Sequence, residues 1–496
     1  MNRSRRRALR TLSLISAGTI VAGLSGPTSA RLLASPRRAG AVGNRLRIPP
    51  TIDGGDIVAQ TIETTIWPDR PSTVWTLGES FPPPTIRIRR GDPFSARLIN
   101  QLTEPTNIHW HGLLVPADMD GHPMHLVAPG AERSFAFTID QPGGTFWYHP
   151  HAHGSTAKQI HLGMAGILLV EDDDDEMLGL PSGPFDIPIL LQDKRENAER
   201  TITYAPSMPD LMTGMIGGTM LANGTPDAYH EVSRDVYRVR LVNASNGRVL
   251  ALALDDGSTF HQIASDGGLL DRPYPLTELR LGPGERTELL IDFSNREIGS
   301  SVRLISREYD SPPDETWQGW GMDIIRFDVN APAERSFTMP ETLRPMEMLT
   351  GSMVTVDREI SLTAIHQHPS MSHRINGKEY DMNRVDLQIA PGAIERWTFN
   401  NVTDEPHPMH IHGALFQVAS RTGGPLDARH RGWKDTVVVE PFEQMTILIR
   451  FAEHEGLFVA HCHNLEHAET GMMMNVQVGG TMSVGEVWVG APLDLQ

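Results

Sequence analysis

The sequence predicts an all-β protein made of three consecutive Greek-key β-sandwich domains. Short apolar segments alternate with turns rich in Gly, Pro, Asn and Asp, and the chain holds 45 Gly and 37 Pro among 496 residues. This pattern is typical of antiparallel sandwiches rather than of helical bundles. A chain of this length also exceeds a single hydrophobic core and suits two to four domains.

The N-terminal segment, residues 1–30, is predicted to be a signal peptide rather than part of the fold. A basic start at Ser4–Arg10 precedes an apolar run at Leu12–Leu24, and Thr28–Ala30 offers small residues for cleavage. The paired arginines followed by Leu9 resemble the twin-arginine signal. We therefore expect export by the twin-arginine machinery and a periplasmic or secreted location, with a general secretory signal as the alternative.

The charge of the chain excludes one class of partner. The formal net charge is -18 at pH 7, and loss of the five arginines in residues 1–30 takes it to -23. Such an acidic surface argues against nucleic acid as a partner. No later segment is apolar for long enough to cross a bilayer, so no membrane span is expected in the mature protein.

An internal repeat relates the first and last thirds of the chain. Asn100–Gly112 aligns without gaps on Asn401–Gly413, and both segments share Asn, a Glu-Pro pair and His-x-His-Gly. Gly144–His151 aligns in the same way on Gly456–His463. Two matches in the same order indicate that these two thirds are homologous domains.

The middle third shares a weaker pattern, a Pro-containing turn that leads into an apolar strand. The pattern occurs at Pro129–Ile139, Pro283–Phe293 and Pro441–Phe451, which favours three units. The acidic stretch Glu171–Glu176 is interpreted as a solvated linker. The predicted segments are a signal peptide (1–30), domain 1 (45–172), domain 2 (180–330), domain 3 (335–480) and a C-terminal tail (481–496). Domain 2 has no His-x-His pair, and its expected role is spacing and packing.

Four His-x-His pairs are the strongest functional signal. In an extended strand the two histidines of a pair lie on the same face, so two pairs from different strands can surround metal ions. Imidazole suits copper, zinc and iron. One pair alone is a weak indication, but four pairs in the outer thirds predict a metal cluster where these thirds meet. The pairs are His109/His111, His149/His151, His410/His412 and His461/His463.

Cys462, the only cysteine, predicts a second kind of metal site. It cannot form an internal disulfide, and it lies between His461 and His463. A thiolate with two histidines and a weak axial thioether is the ligand set of a mononuclear blue-copper centre. His407, His467 and Met472 complete this set. Because Cys462 adjoins two cluster histidines, one stretch of backbone is expected to carry electrons between the two sites.

These motifs resemble those of the three-domain multicopper oxidases, which include laccases and bacterial copper-efflux oxidases. The resemblance rests on Thr403–Gly413, His461–Met472 and Gly432–Val437, and it covers residues from near 50 to near 480. It implies cupredoxin-like domains and four copper ions. By the resemblance, the type 2 copper falls to His109 and His410; the type 3 pair falls to His111, His149, His151, His412, His461 and His463; and the type 1 copper falls to His407, Cys462, His467 and Met472.

The resemblance implies an oxidase that couples four one-electron oxidations of a donor to the reduction of dioxygen to water. Phenols, aromatic amines and metal ions such as Cu(I) are the expected donors. The alternative is a copper-binding, electron-transfer or copper-tolerance protein of the cell envelope with little turnover. A carrier needs only the type 1 ligands, so the eight further histidines favour the oxidase.

The resemblance also assigns two catalytic residues, the thiolate Cys462 and a carboxylate. Asp120, nine residues after His111, matches the acid that relatives place beside the copper cluster. Bacterial relatives place a second acid directly after the last type 1 histidine, where this chain has Ala468 followed by Glu469. Three interpretations stay open: Glu469 takes over through water, another carboxylate does, or reduction is slower.

Domain 1 is expected to lack an electron-accepting site of its own. In the alignment Thr106 stands at the position of His407, and Pro150 stands at the position of Cys462. The first third therefore keeps cluster ligands but has lost the blue-copper set.

A further histidine group precedes the motifs of domain 3. It consists of His366, His368, Met371 and His373. We interpret this group as an exposed polar loop, with binding of an extra copper ion as the alternative.

Overall fold

The structure is a computed structural model and describes residues 43–67, 70–199, 201–311, 318–367 and 370–480. The predicted signal peptide and C-terminal tail lie outside these residues. The described chain belongs to one compact unit. Among the described helices, none is long and apolar enough to cross a membrane.

The first third forms a pair of sheets around one hydrophobic core. Its strands are β1 (Asn44–Arg45), β2 (Thr51–Ile52), β3 (Gly55–Trp67), β4 (Arg70–Leu77), β5 (Thr85–Arg89), β6 (Pro93–Asn100), β7 (His109–His111), β8 (Glu132–Thr138), β9 (Gly144–His149) and β10 (Gly166–Glu171). One sheet has the order β2-β5-β10-β9-β7 and the other has the order β4-β3-β6-β8. Buried side chains of both sheets make up the core between them.

The middle third forms a second, larger pair. Its strands are β11 (Asp186–Lys194), β12 (Thr219–Ala222), β13 (Thr225–Pro226), β14 (Ala228–Ser233), β15 (Val236–Asn243), β16 (Leu250–Leu254), β17 (Phe260–Ser265), β18 (Gly268–Leu276), β19 (Leu279–Leu281), β20 (Arg286–Asp292), β21 (Ser301–Ser306) and β22 (Met322–Ala331). The sheets have the orders β13-β12-β11-β15-β20-β17-β18 and β1-β14-β22-β21-β16-β19. Strand β1 thus pairs with the middle third, although the predicted domain 1 begins at residue 45.

The last third repeats the plan of the first. Its strands are β23 (Val356–Gln367), β24 (Ser370–Ile375), β25 (Leu387–Ile389), β26 (Ile394–Asn401), β27 (His407–Ile411), β28 (Ala414–Arg421), β29 (Thr436–Val439), β30 (Gln444–Phe451), β31 (Gly456–Cys462) and β32 (Met473–Val478). The sheets are ordered β24-β23-β26-β30-β28 and β25-β32-β31-β27-β29. The prediction of three consecutive cupredoxin-like sandwiches is confirmed, whereas the domain boundaries stay predictions.

Alternation of apolar and polar residues explains why these segments form strands. In β6 the buried positions are Phe94, Ala96, Leu98 and Asn100, and the residues between them are more exposed. The repeat-related β26 alternates in the same way. A period of two buries one face of each strand in the sandwich core.

Four short α-helices connect the strands of the described chain. They are α1 (Thr156–Leu162), α2 (Asp173–Met177), α3 (Met208–Thr213) and α4 (Leu465–Glu469). Helix α4 directly follows the Cys462 strand, and α1 and α3 pack against it. Residues of the first and middle thirds therefore lie beside the helix that carries His467.

The acidic stretch, predicted to be a solvated linker, contains a short helix and several ion pairs, and none of its helical residues is buried. Asp173–Met177 forms α2, and the carboxylates of this stretch pair with arginines from three parts of the chain. Arg344 pairs with Asp172 and Asp174, and Arg89 pairs with Asp173. The Asp175 carboxylate forms ion pairs with Arg238 at 2.6 Å and with Arg240 at 3.4 Å. Arg238 and Arg240 are buried, so the acidic stretch is attached to the middle third by ion pairs.

The interpretation of His366, Met371 and His373 as part of an exposed polar loop is wrong. His366 lies in β23, and Met371 and His373 lie in the antiparallel neighbour β24. In the register of these two strands Ala364 lies opposite His373. His366 is therefore the diagonal neighbour of His373 on the same face of the sheet. His368 lies outside the described residues.

Candidate metal centres

The four His-x-His pairs lie at equivalent places in the two outer domains. In domain 1, β7 runs antiparallel to β9, and His109 is opposite His149. In domain 3, β27 runs antiparallel to β31, and His410 is opposite His461. The sequence alignment puts His109 on His410 and His149 on His461, so the register of the strands reproduces the internal repeat.

Two histidines, one from each outer domain, meet head to head. His109 Nδ1 donates to the Asp120 carbonyl at 2.7 Å, and His410 Nδ1 donates to the Asp435 carbonyl at 2.9 Å. Each ring therefore turns a lone pair on Nε2 inward, and the two Nε2 atoms are 3.3 Å apart. Two acceptors at this distance repel each other unless a cation binds both. This pair fits the predicted type 2 copper.

A first triad of histidines lies beside this pair. The ligand nitrogens of His151, His412 and His461 lie within 4.8 Å of one another. His412 Nδ1 donates to Asp120 Oδ2 at 2.6 Å, and His461 Nδ1 donates to the Cys462 carbonyl at 2.9 Å. The Nε2 atom of His461 is then 3.4 Å from that of His412 and 3.1 Å from that of His151. The inward lone pairs of His412 and His461, together with His151 Nε2, form a pocket for one ion.

A second triad consists of His111, His149 and His463. Their ring centroids are 5.1 to 5.6 Å apart. His111 Nε2 faces Asp435 Oδ1 at 3.0 Å, which turns Nδ1 towards His149 Nε2 at 3.3 Å. Both ring nitrogens of His463 are buried and have no hydrogen-bond partner. Such unpartnered nitrogens are costly, and binding of one of them to a metal ion would lower that cost.

The thiolate site is a separate triangle of ligand atoms. Cys462 Sγ is 3.6 Å from His407 Nδ1 and 3.7 Å from His467 Nδ1, and the two nitrogens are 3.0 Å apart. Bonds of about 2.0–2.3 Å from one ion to two nitrogens and a sulfur need spacings of this order. All three residues are fully buried.

Outer hydrogen bonds fix the rings of the thiolate site. Thr403 Oγ1 accepts from His407 Nε2 at 2.8 Å, and the Met212 carbonyl in α3 accepts from His467 Nε2 at 2.8 Å. Both Nδ1 atoms are thereby left for a metal ion. Met472 is buried in the same core, and its carbonyl accepts from the Cys462 N–H at 3.0 Å.

Burial keeps the ligands in the form that binds metal. Loss of hydration lowers the pKa of eight ligand histidines well below the ordinary value, and neighbouring imidazoles add to the effect. These are His111, His149, His151, His407, His412, His461, His463 and His467. Burial also raises the pKa of the Cys462 thiol, so the thiolate requires a bound cation. The residues present fit copper ions at both kinds of site.

Sequence reasoning missed a buried ion pair that supports the cluster. Asp435 accepts from His111, and Arg286 forms two bonds to its carboxylate, at 2.7 and 2.5 Å. Burial alone would raise the pKa of Asp435, but the Arg286 guanidinium holds it well below its usual range.

Gly112 leaves room for this ion pair. Gly112 has a φ of 88°, and a Cβ there would collide with the Arg286 guanidinium. The available signal was the Gly432–Val437 stretch, which contains Asp435.

The middle domain does more than space the outer two. It supplies Arg286 from β20 and the Met212 carbonyl from α3, and each contacts a residue of domain 3. Lys434 of domain 3 in turn pairs with Glu285 at 3.1 Å and with Asp266 at 2.9 Å. The middle domain therefore orients ligands without supplying any predicted ligand itself.

The two candidate acids lie in different surroundings. Asp120 is fully buried, and its Oδ1 atom has no hydrogen bond and lies 3.5 Å from His109 Nδ1. Glu469 instead accepts from the backbone N–H groups of Gly154 and Ala157 at α1. Burial raises the pKa of Glu469 to about 7. Asp120 thus touches the cluster, and Glu469 lies 3.8 Å from His153, outside the triads.

The fold and the two connected ligand sets define a metal-binding protein of three cupredoxin-like sandwiches. Two family models, both described as multicopper oxidase, match residues 59–175 and 354–481. The chain belongs to the multicopper oxidase family. Membership implies copper as the cofactor, a copper-dependent oxidoreductase activity and dioxygen as the oxidant, as the sequence predicted.

Individual relatives agree with this assignment but carry different names. The chain is 33% identical over 399 residues to multicopper oxidase mco of Staphylococcus epidermidis, covering 80% of this chain and 81% of that protein. It is 34% identical over 458 residues to cell division protein FtsP of Escherichia coli, covering 88% and 94%. The 2F4 variant of the McoA multicopper oxidase from Aquifex aeolicus has a similar structure, with 32% identity, a TM-score of 0.82 and coverage of 88% and 100%.

Proposed function

We propose that this protein is a laccase-like oxidase that couples four one-electron oxidations of a donor to the reduction of dioxygen to water. The observation that carries the proposal is one tripeptide that joins two complete ligand sets. His461 and His463 belong to different triads of the histidine cluster, and Cys462 between them belongs to the thiolate site. A pure carrier has no use for this connection.

Copper bound at these positions would supply one-electron chemistry and the reduction of dioxygen. The proposed holders are His109 and His410 for the type 2 ion; His111, His149 and His463 with His151, His412 and His461 for the type 3 pair; and His407, Cys462 and His467, with Met472 as weak axial ligand, for the type 1 ion. This division keeps the twelve residues predicted from the sequence and adds the split into triads.

The chain prepares these ligands before any metal binds. Backbone carbonyls of Asp120, Asp435 and Cys462 each hold one imidazole N–H. A ring held this way cannot rotate its inward nitrogen away, and the hydrogen bond strengthens that nitrogen as a donor to a cation. Full burial excludes bulk water from the cluster.

Asp120 is proposed as the residue that holds a proton at the cluster. Its Oδ2 atom accepts from His412 Nδ1, while its Oδ1 atom is free of hydrogen bonds. The free oxygen can take up a proton, and the bonded oxygen fixes the carboxylate next to two ligand rings. This geometry supports a role in proton supply rather than in metal binding.

The alternative is a copper-binding or copper-tolerance protein with little turnover. Such a protein would bind copper but consume little oxygen, whereas an oxidase does both. Purified copper-loaded protein should be compared with Cys462→Ser and His410→Ala for copper content, the blue absorption band and oxygen uptake with a phenolic donor. We expect about four coppers per chain in the parent protein. Cys462→Ser should lose the blue band, and His410→Ala should keep it but lose oxygen uptake.

His261→Ala is the matched control, because His261 is a partly buried histidine in β17 outside both kinds of site. It should leave colour and oxygen uptake unchanged. Persistent oxygen uptake in His410→Ala would refute the oxidase assignment of the cluster. A blue band that survives in Cys462→Ser would refute the type 1 assignment.

We also propose export by the twin-arginine machinery to the periplasm or the exterior. The support is the paired-arginine pattern of residues 1–30. A reporter fused to residues 1–30 should be exported in a cell with that machinery. Replacement of Arg5, Arg6 and Arg7 by lysine should abolish export, whereas unchanged export would favour the general secretory route.

A further inference from the structure

The ring of His463 is held in place without a hydrogen bond. Both of its nitrogens are buried, and neither has a hydrogen-bond partner within the described chain. The rings of His109, His410 and His461 differ, because a backbone carbonyl accepts the Nδ1–H of each. The orientation of the His463 ring must therefore come from the atoms that pack against it.

Gly284 of the middle domain packs against this ring. It lies in the turn between β19 and β20 and has a φ of 84°. A Cβ atom at Gly284 would lie 2.9 Å from His463 Cγ, 3.0 Å from His463 Cδ2 and 3.2 Å from His111 Cε1. These separations are well inside the optimal distance between carbon atoms. A glycine at this position therefore lets the middle domain approach the second triad closely.

Three contacts hold the turn in this position. The Gly284 N–H donates to the Asn243 carbonyl at 2.8 Å, and the Gly284 carbonyl accepts from the Arg286 guanidinium at 3.2 Å. The carboxylate of the next residue, Glu285, pairs with Lys434 of domain 3 at 3.1 Å. The turn cannot withdraw from the ring without breaking these contacts.

The equivalent turns of the outer domains have open space at this position. Gly130 has a φ of 77°, its N–H donates to the Asn100 carbonyl at 2.8 Å, and a Cβ there would meet nothing within 4 Å. In domain 3 the residue that aligns with Gly284 is Phe442, which has a φ of 57° and is 70% exposed. The backbone of this turn thus accepts a side chain where space allows. At Gly284 the histidine cluster takes that space.

We propose that Gly284 is a positioning residue of the second triad, which keeps the His463 ring beside His111 and His149 by direct packing. The proposal rests on the proposed assignment of this triad to the type 3 copper pair. It gives the middle domain a role in the cluster that needs no ligand of its own. Because Gly284 faces the histidine cluster, a side chain there should disturb the cluster and spare the thiolate site.

Gly284→Ala tests the proposal, and Gly130→Ala is the matched control. Both substitutions place a Cβ on a glycine of positive φ in an equivalent turn, so both strain the backbone. Only Gly284→Ala adds a clash with the cluster. After copper loading it should bind copper at the cluster about tenfold or more weakly and lose oxygen uptake, yet keep the blue band. Gly130→Ala should match the parent protein in copper content, colour and oxygen uptake. Unchanged copper affinity in Gly284→Ala would overturn the proposal.

A second measurement needs no copper. In copper-free protein, Gly284→Ala should lower the midpoint of urea unfolding more than Gly130→Ala does. The difference should largely disappear when both substitutions are made in His463→Ala, because the ring that clashes with the new Cβ is gone. If Gly284→Ala alone fails to fold, the double variant with His463→Ala should fold.

The same difference with and without the His463 ring, or a double variant that also fails to fold, would overturn the proposal. Absence of oxygen uptake in the parent protein would instead overturn the proposed oxidase. The unfolding comparison would then still decide whether Gly284 positions the ring.

Discussion

Several ligand histidines are oriented by hydrogen bonds that their motifs do not reveal. The His-x-His pattern identifies His109 and His410 as ligands, but the carbonyls of Asp120 and Asp435 decide which nitrogen of each ring faces the ion. The same holds at the thiolate site, where Thr403 holds Nε2 of His407. Ligand identity therefore follows from the sequence, and ligand orientation follows from the packing around it.

Asp120→Asn should separate proton supply from copper binding. The amide keeps the size of the carboxylate but cannot take up a proton at neutral pH, so oxygen uptake should fall by about 100-fold or more. The blue band should not change, because Asp120 does not contact Cys462. Asp118→Asn is the control, since Asp118 is an exposed carboxylate two residues away. An unchanged rate of oxygen uptake in Asp120→Asn would show that another group supplies the protons.

Met472→Leu should retain a blue site with a higher reduction potential. Loss of a weak axial thioether removes a ligand without opening the triangle of Cys462, His407 and His467. A redox titration monitored by the blue band measures the shift. Protein that no longer binds copper at this site would contradict the axial assignment.

The sequence revealed the ligands but not all of their supports. Motif spacing placed His407, Cys462 and His467 in one site, and the structure brings them together. Arg286 is 149 residues from Asp435, and no local pattern pairs them.

At the scale of elements, the repeat extends to the loops that lead into β7 and β27. Asn100 Nδ2 donates to the carbonyls of Glu104 and Val127, and Asn401 Nδ2 donates to that of Glu405. The shared Asn of the two motifs thus closes the same turn in both domains. At the position of His407, domain 1 has Thr106, whose hydroxyl donates to Gln159 Oε1 at 2.8 Å.

The buried ion pairs of the acidic segment are predicted to contribute to the stability of the fold. Arg240 is buried among Glu288, Asp186 and Asp175, so Arg240→Ala leaves buried carboxylates uncompensated. We expect it to lower the free energy of unfolding by about 3–5 kcal/mol. The measurement is the shift of the urea unfolding curve.

Arg89→Ala is the control for this prediction. Arg89 pairs with Asp173 of the same segment, but both side chains are largely exposed, at 54% and 71%. An exposed pair contributes at most about 1 kcal/mol. Equal effects of the two substitutions would show that burial of Arg240 does not matter to stability.

The alternation of apolar and polar residues along the strands made the three sandwiches predictable. The short helices could not be predicted in this way. The pattern of β6 and β26 is visible in the sequence because one face is buried. The run Asp173–Glu176 looks like a solvated linker because only the fold brings arginines to it. Helix α3 gave no signal of its role beside His467.

At the scale of the whole molecule, the cluster lies where domains 1 and 3 meet and domain 2 supports it. Neither outer domain alone supplies a complete triad, since His412 and His461 of one triad come from domain 3 and His151 comes from domain 1. The site therefore exists only in the assembled chain. The sequence predicted this from the repeat, but not the part played by Arg286.

Many buried neutral histidines should make the copper-free protein sensitive to acid. The unfolded chain binds protons at these histidines near pH 6.5, whereas the folded pKa values of residues such as His111 and His149 lie well below that. The unfolded state thus binds more protons below pH 6.5, so stability should fall as the pH drops, by up to about 1.4 kcal/mol per pH unit for each such histidine. Urea unfolding of copper-free protein between pH 7.5 and pH 5.5 measures this loss. A stability that is flat across this range would contradict the buried neutral state of the ligands.

The proposal that one chain holds a complete four-electron oxidase is tested most directly by the ratio of donor oxidised to dioxygen consumed. Copper-replete protein should be supplied with a one-electron phenolic donor while oxygen uptake, donor oxidation and hydrogen peroxide are followed together. We predict about four donor molecules oxidised per dioxygen, with no peroxide released. A ratio near two with peroxide as the product, or no oxygen uptake by protein that holds its full copper content, would contradict the proposal.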